Sequence, residues 1–262
     1  MKVDLSGKTA LVTGSTSGIG HAIARGLAAS GANIVINGRS QDKVNASVRK
    51  LNGLGGRVHG IAADVSTTAG CKAVLEALSE VDILINNAGI YEPKHFLDIP
   101  DEDWMRFFEV NVMSGVRLSR AYLQGMIKRN WGRIVFISSE SALNTPTEMI
   151  HYGMTKTAQL AIARGLAQLT RGTGVTVNSV LPGPTMSEGL ESFVTELARQ
   201  NRQSFDEAAA NFVKQNRPTS LLERFASVEE VANMVVYVAS KEASATDGAA
   251  LRVEGGIVST IA

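Results

Sequence analysis

Thr9-Ala10-Leu11-Val12-Thr13-Gly14-Ser15-Thr16-Ser17-Gly18-Ile19-Gly20 runs from a short apolar stretch into a glycine-rich turn. The apolar residues read as a strand, and the spacing from Ile19 to Ala29 reads as a helix. Glycine is required in such a turn because a Cβ would block the bend and hold the backbone away from a pyrophosphate, which takes N–H bonds at the start of the helix. The spacing is G-x-x-x-G-x-G, not G-x-G-x-x-G, and taken alone it also suits a plain strand-to-helix turn with no ligand. Its position after the first strand favours the phosphate reading.

The same rhythm continues outward. Ile34-Val35-Ile36, Ile83-Leu84-Ile85, Ile134-Val135-Phe136-Ile137 and Val175-Thr176-Val177 are short β-rich runs, and Lys43 to Leu51, Asp101 to Lys128, Tyr152 to Leu169 and Val228 to Ala239 have helical spacing. Such alternation reads as βαβ units. Strands that are apolar throughout, rather than at every second residue, expect helices on both faces. The expected fold is therefore α/β, a Rossmann-type doubly wound parallel sheet. No linker divides the chain, so residues 1–262 are expected to form one domain. Residues 186–224 break the rhythm: they are rich in Glu, Arg, Asn and Gln, with Phe193 and Leu197, then Ala208 and Phe212, four apart. This predicts short amphipathic helices inserted between the sixth and seventh strands. Such an insertion suits a substrate lid, or equally a permanently packed cover.

Composition narrows the function classes. Hydrophobic residues at 44% against 19% charged support a large core rather than a disordered chain. Twenty-six basic and 25 acidic side chains leave a net charge of +1, so no bulk field recruits nucleic acid or an anionic membrane. Cys71 is the only cysteine, which excludes an internal disulfide framework and a cysteine zinc cluster, and no metal site is expected. Met1 to Lys8 leads straight into the first strand without the apolar stretch of a secretion signal, and no apolar run approaches the roughly 18 residues of a membrane span. A cytoplasmic protein is expected.

Two further positions carry chemistry. The second strand ends Asn37-Gly38-Arg39-Ser40. An NAD site usually has Asp or Glu there for the ribose 2′-hydroxyl, whereas Arg accommodates a 2′-phosphate, so Arg39 points to NADP(H) with NAD(H) as the lesser option. The alternative is a solvated surface arginine. Tyr152-Gly153-Met154-Thr155-Lys156 opens a helical stretch in which a spacing of four puts phenol and ammonium on one face. A nearby ammonium favours the phenolate, so the pair can trade a proton with a carbonyl oxygen, although by itself it is also an ordinary helix-surface pair.

Upstream, Ser138-Ser139 ends an apolar strand 13 positions before Tyr152, Asn86-Asn87-Ala88-Gly89 ends another, and Asn111-Val112 lies in a long helix. Together with the glycine turn these motifs resemble the short-chain dehydrogenase/reductase family, in order and over essentially the whole chain. The resemblance implies that Tyr152 is general acid in reduction and general base in oxidation. It further implies that Lys156 lowers the phenol's pKa and binds the nicotinamide ribose, that Ser139 donates to the substrate oxygen, and that Asn111 holds Lys156 through water. Preplaced donors suit hydride transfer because negative charge grows on the carbonyl oxygen as hydride arrives. By the same resemblance Gly14, Ser15, Thr16, Gly18 and Ile19 surround the pyrophosphate, and Asp64 with Val65 meets the adenine. Asn87, Ala88 and Gly89 line the adenosine side, while Pro182, Gly183 and Thr185 turn against the nicotinamide amide. Asp64 has the bland alternative of capping a helix that begins near Thr67, and Pro182 of punctuating a loop.

Three departures stand out: Ser17 occupies a position often basic in NADP-preferring members, Glu254 stands where Asp is frequent, and Glu140 adds a carboxylate directly after Ser139. Substrate choice should rest on Glu140 to His151, which mixes apolar and polar residues, and on the insertion. His151 adjoins Tyr152, but adjacent helical residues point about 100° apart, which favours a structural or substrate-side role over a relay. The partner implied is a small carbonyl or alcohol substrate. The narrower resemblance to 3-oxoacyl-acyl-carrier-protein reductases would use Lys128, Arg129 and Arg171 to dock an acidic carrier, unless these are solvated helix ends. The family implies a homodimer or homotetramer through the long helices. A different class, a non-catalytic cofactor-binding sensor or scaffold, would have no chemical need for Ser139, Tyr152, Lys156 and Asn111 together. Arg39→Asp is expected to lower the ratio of kcat/KM for NADPH over NADH by about tenfold or more. An unchanged ratio in steady-state kinetics removes Arg39 from the cofactor site.

Overall fold

The computed structural model describes residues 2–261. The elements run β1 (Thr9–Val12), α1 (Gly18–Ala29), β2 (Asn33–Gly38), α2 (Gln41–Leu51), β3 (Val58–Ala62), α3 (Thr68–Ala77) and β4 (Ile83–Asn86). There follow α4 (Asp101–Phe108), α5 (Ser114–Lys128), β5 (Gly132–Ile137), α6 (Ile150–Leu169), β6 (Val175–Pro182) and β7 (Thr185–Met186). The last are α7 (Glu188–Asn201), α8 (Phe205–Asn216), β8 (Ala226–Ser227), α9 (Val228–Val238) and β9 (Ala250–Val253). Seven strands form one parallel sheet in the order β3-β2-β1-β4-β5-β6-β9, while β7 and β8 pair separately at the root of the insertion.

The continuous apolar runs have the reason expected of them. Ala10 and Val12 of β1 point into one core with Ile34, Ile36, Ile83 and Ile85, where α1 and α9 pack. Leu11 points into the other with Val35, Leu84, Ile134 and Phe136, where α3, α5 and α6 pack. Each strand is covered on both faces, so neither set of alternate residues can be polar. The two strands not singled out above, β3 and β9, are the edges of the sheet, and their side chains are only partly buried. At an edge the pattern weakens: β3 contains His59 and Gly60, and β9 contains Arg252.

The chain winds outward from β1 to β3, then returns to the other side of β1 with β4. This places a topological switch point, and its crevice, at the carboxyl ends of β1 and β4. Thr13 holds that edge together. Its buried Oγ1 accepts the amides of Asn87 (3.0 Å) and Ala88 (2.9 Å), while Asn87 Nδ2 donates to the carbonyls of Thr13 and Gly14. Gly14 needs its φ of +61°, which side chains disfavour, and a Cβ on Gly20 would meet Asn87 Nδ2 at 2.4 Å.

The insertion consists of α7 and α8 packed on each other around Val194, Ala198, Ala208, Val213 and Phe225. Its sequence pairs Phe193/Leu197 and Ala208/Phe212 fall within these two helices, as their spacing predicts. Among the described residues no helix is long and apolar enough to cross a membrane, and no cluster of His, Cys, Asp or Glu is arranged to hold a metal ion.

Candidate active site

The long helix expected from Asp101 to Lys128 is interrupted by a π-helical turn at Glu109–Met113. Such turns shift the backbone register and free a carbonyl, and they gather at functional sites. Asn111 sits in this one, buried. Its Oδ1 accepts the Ile90 amide (2.7 Å), and its Nδ2 donates to the Ile90 carbonyl and to Thr155 Oγ1 (both 3.0 Å). The side chain thus ties the loop after β4 to α6.

The link to Lys156 is made by a residue that no motif signalled. Lys156 Nζ donates to the Ile137 carbonyl (2.9 Å) and to Gln159 Oε1 (3.3 Å), and Gln159 Nε2 donates to the Asn111 carbonyl (2.5 Å). The Gln159 side chain thus links Lys156 to the Asn111 backbone directly. The one available signal was its helical spacing of three after Lys156. Lys156 is further anchored through its carbonyl, which accepts Ser138 Oγ at 2.9 Å. Burial pushes its ammonium down from 10.5 to about 8.

Tyr152 lies one turn earlier, with Lys156 Nζ 5.5 Å from its ring centroid and Tyr91 edge-on at 6.5 Å. Desolvation raises the phenol above its ordinary value; the bond with Ser139 and the charge of Arg217 oppose this, and the charges of Glu140 and Tyr91 add to it. Burial is the largest influence on the phenol, while the Lys156 ammonium is turned to Ile137 and Gln159. Ser139 Oγ donates to Glu140 Oε2 (2.5 Å) and accepts the Ser141 amide (3.1 Å). His151 is fully buried against Phe107 (4.1 Å between ring centroids) and Trp104, with both ring nitrogens unpartnered and its pKa lowered by burial. That is the structural role, not a relay.

The crevice beside this group has the features an anionic dinucleotide needs. The first turn of α1 contains no acidic residue, and Ser17 at its N-cap makes no side-chain bond, whereas Ser40, Thr67, Ser204 and Ser227 cap α2, α3, α8 and α9. The uncapped amides and the helix dipole favour a negative charge there. Gly14, Thr16, Gly18 and Ile19 border the turn, and Gly18 faces Ser187 across the crevice. Ser15 does not contribute its side chain. It is fully buried, its Oγ donates to the Val12 carbonyl, and its amide bonds Asn37, so it stitches the turn to β2.

Arg39 is exposed at the end of β2 and forms no ion pair among the described residues. Asp64 does not cap α3; Thr67 does, and Asp64 Oδ1 instead accepts from the Ser66 amide and hydroxyl. The Val65 side chain belongs to the core, leaving only its backbone to face a ligand. Asn87 spends its side-chain amide on the glycine turn, and Gly89 lies against Asn111 and Lys156. Pro182 closes β6, and Gly183 packs so tightly on Glu254 that a Cβ would come within 2.8 Å of its carbonyl oxygen. Thr185 Oγ1 donates back to Gly183, holding this turn over the crevice. Glu254 accepts the amides of Ile257 and Val258, so the longer side chain keeps a backbone-capping function.

A parallel sheet with a glycine turn at its switch point, and Ser139, Tyr152, Lys156 and Asn111 gathered beside it, defines the class of dinucleotide-binding oxidoreductases. The model of the short chain dehydrogenase family matches residues 8–198, and the chain belongs to that family. It is 50% identical to the uncharacterized oxidoreductase YvaG of Bacillus subtilis over the full length of both. It is 34% identical to the 3-oxoacyl-[acyl-carrier-protein] reductase FabG of Aquifex aeolicus, over 98% of this chain and all of that one. L-sorbose reductase of Gluconobacter frateurii, solved with NADPH and L-sorbose, superposes with a TM-score of 0.93 at 33% identity, covering all of both chains.

Lys156 generates a prediction for stability. Its pKa is about 8 in the fold against 10.5 for the free side chain, so its charge opposes folding fully below pH 8 and fades as an obstacle between pH 8 and 10.5. The full penalty is on the order of 3 kcal/mol at about 1.36 kcal/mol per unit. In thermal unfolding scans, the midpoint of Lys156→Met relative to wild type should be highest below pH 8 and decline towards pH 10.5. A difference independent of pH would mean that Lys156 is not desolvated.

Proposed function

We propose that the protein transfers hydride between NADP(H) and a small carbonyl or alcohol, with Tyr152 as the proton donor and acceptor. The observation that carries this reading is the convergence of Tyr152, Lys156, Ser139 and Asn111, from three separate elements, beside the glycine crevice. The cofactor supplies or accepts the hydride. Gly14, Thr16, Gly18 and Ile19 would hold its pyrophosphate, with Ser15 acting through the shape of the turn. Asp64 and the Val65 backbone would meet the adenine, and Asn87, Ala88 and Gly89 the adenosine. Lys156 would hold the nicotinamide ribose, and Pro182, Gly183 and Thr185 its amide. The exposed, unpaired Arg39 supports a 2′-phosphate, and the NADPH in the similar sorbose reductase supports the same choice.

The phenol, protonated at neutral pH, can pass its proton to a carbonyl oxygen as negative charge develops there. Lys156, its pKa lowered by burial to about 8, keeps a positive charge near the phenol without a competing carboxylate partner. Water would be kept from the transfer by the insertion, which we take as a lid that is tied down by Arg217. The wall beside Tyr152 carries Tyr91, Glu140, Glu148 and Arg217, and so many polar groups favour a hydroxylated substrate over a purely apolar one. The similarity to an enzyme complexed with L-sorbose supports that preference. Carrier docking is less favoured because Arg129 is occupied by the Val81 carbonyl and Glu80.

The outer groove between α5 and α6, lined by Leu123, Ile127, Ile162, Leu166 and Leu169, supports association with a second copy as a homodimer or homotetramer. Light scattering is expected to read two or four times the chain mass; a monomer at micromolar concentration counts against it. For the reaction, a panel of ketoses, polyols and simple ketones assayed with both cofactors should yield turnover. Tyr152→Phe should lower kcat by about a thousandfold or more while leaving NADPH binding intact. Retained turnover in the variant would refute the role of Tyr152, and no turnover on any pair by wild type would favour the sensor.

A further inference from the structure

Glu140 follows the catalytic-site serine directly, and its side chain is 5% exposed. Its Oε2 accepts the Ser139 hydroxyl at 2.5 Å, and its Oε1 accepts Arg217 Nε at 3.0 Å. Arg217 ends α8, so its guanidinium comes from the insertion; its Nη1 also donates to Glu148 Oε1 at 3.3 Å. A buried carboxylate is costly unless it is paired and hydrogen-bonded, and here both conditions are met by groups 1 and 77 positions away. A hydroxyl has one proton and two lone pairs. Ser139 gives its proton to Glu140 and one lone pair to the Ser141 amide, so both contacts fix the rotation of the hydroxyl.

We infer that Glu140 is a positioning residue that fixes the Ser139 hydroxyl beside Tyr152, and that Arg217 holds Glu140, tying the insertion to the acid–base group. This rests on Tyr152 being the proton donor and acceptor. The two members of the ion pair also act on the phenol with opposite signs. The Glu140 carboxylate favours the neutral phenol and the Arg217 guanidinium favours the phenolate. The other groups around the phenol are Tyr91 from the loop after β4, Lys156 on the same helix, and Glu148 on the far side of Arg217. Substitution at 140 or 217 leaves all three in the chain.

The test is the pH dependence of kcat for wild type, Glu140→Gln and Arg217→Gln, on the substrate that wild type turns over fastest in the panel. Cofactor affinity is followed by NADPH fluorescence. The limb belonging to Tyr152 is expected to move to lower pH in Glu140→Gln and to higher pH in Arg217→Gln. In Glu140→Gln kcat should fall by about tenfold with KM and NADPH affinity within about twofold, and Glu140→Asp should recover part of the loss. Arg217 is more exposed, at 14% of its side chain, so its variant keeps the question answerable if Glu140→Gln does not fold. Shifts of the same sign, or an unmoved limb in Arg217→Gln, overturn the inference. Tyr152→Phe separates the two levels: if it retains turnover, the reading of Tyr152 itself fails. If it is inactive while Arg217→Gln leaves the limb unmoved, only the role of Glu140 and Arg217 fails.

Discussion

The clasp between the turn after β1 and the end of β4 is the contact on which the rest depends. Thr13 Oγ1 accepts two backbone amides of the returning chain, and the Asn87 side chain satisfies two carbonyls of the turn. These groups lie where the winding direction of the sheet reverses, so no strand neighbour can pair them. Buried amides and carbonyls left unpaired would each cost about 1–3 kcal/mol. By satisfying them with side chains, the fold keeps a crevice open between β1 and β4 without losing the sheet beneath it. The glycines of the turn then bring backbone amides to the crevice edge, and Gly89 brings it against Asn111 and Lys156.

The proposed acid–base group is built on the same economy of polar partners. The π-helical turn frees the Asn111 carbonyl; Gln159 takes it and passes the connection to Lys156. Ser138 fixes Lys156 by its backbone, while the Ser139 hydroxyl is bonded to Glu140. Every polar side chain in this chain of contacts has a stated partner. By contrast, the imidazole of His151, next to Tyr152 in sequence, has none and sits among aromatic rings. Adjacency along the chain therefore says little about membership of the site.

Much of this was legible before any coordinates. The runs around Leu11, Ile34, Ile83, Ile134 and Val175 are apolar at consecutive positions because two helical layers cover them, and that pattern is local. The edge strands β3 and β9 were not legible in the same way, since one side of each is open and polar residues are tolerated there. Tyr152 and Lys156 stood out through their spacing, and Ser139 and Asn111 through their order relative to it. Ser15 looked like a ligand contact by position, yet its hydroxyl is spent on the Val12 carbonyl and its amide on Asn37 of β2.

The amino-acid sequence by itself determined the alternation of strands and helices, the glycine turn, the basic residue at the end of β2, and the candidates for the acid–base residues. Each depends on side-chain type and on spacing within a few turns of chain, which sequence states directly. Tertiary structure alone decided which lone pairs and protons those residues have left to use. Gln159 reaches a carbonyl 48 positions away, and Arg217 reaches Glu140 across 77. Hydrogen bonds are satisfied by whatever the fold brings within about 3 Å, and at such separations nothing in local periodicity says which groups will meet.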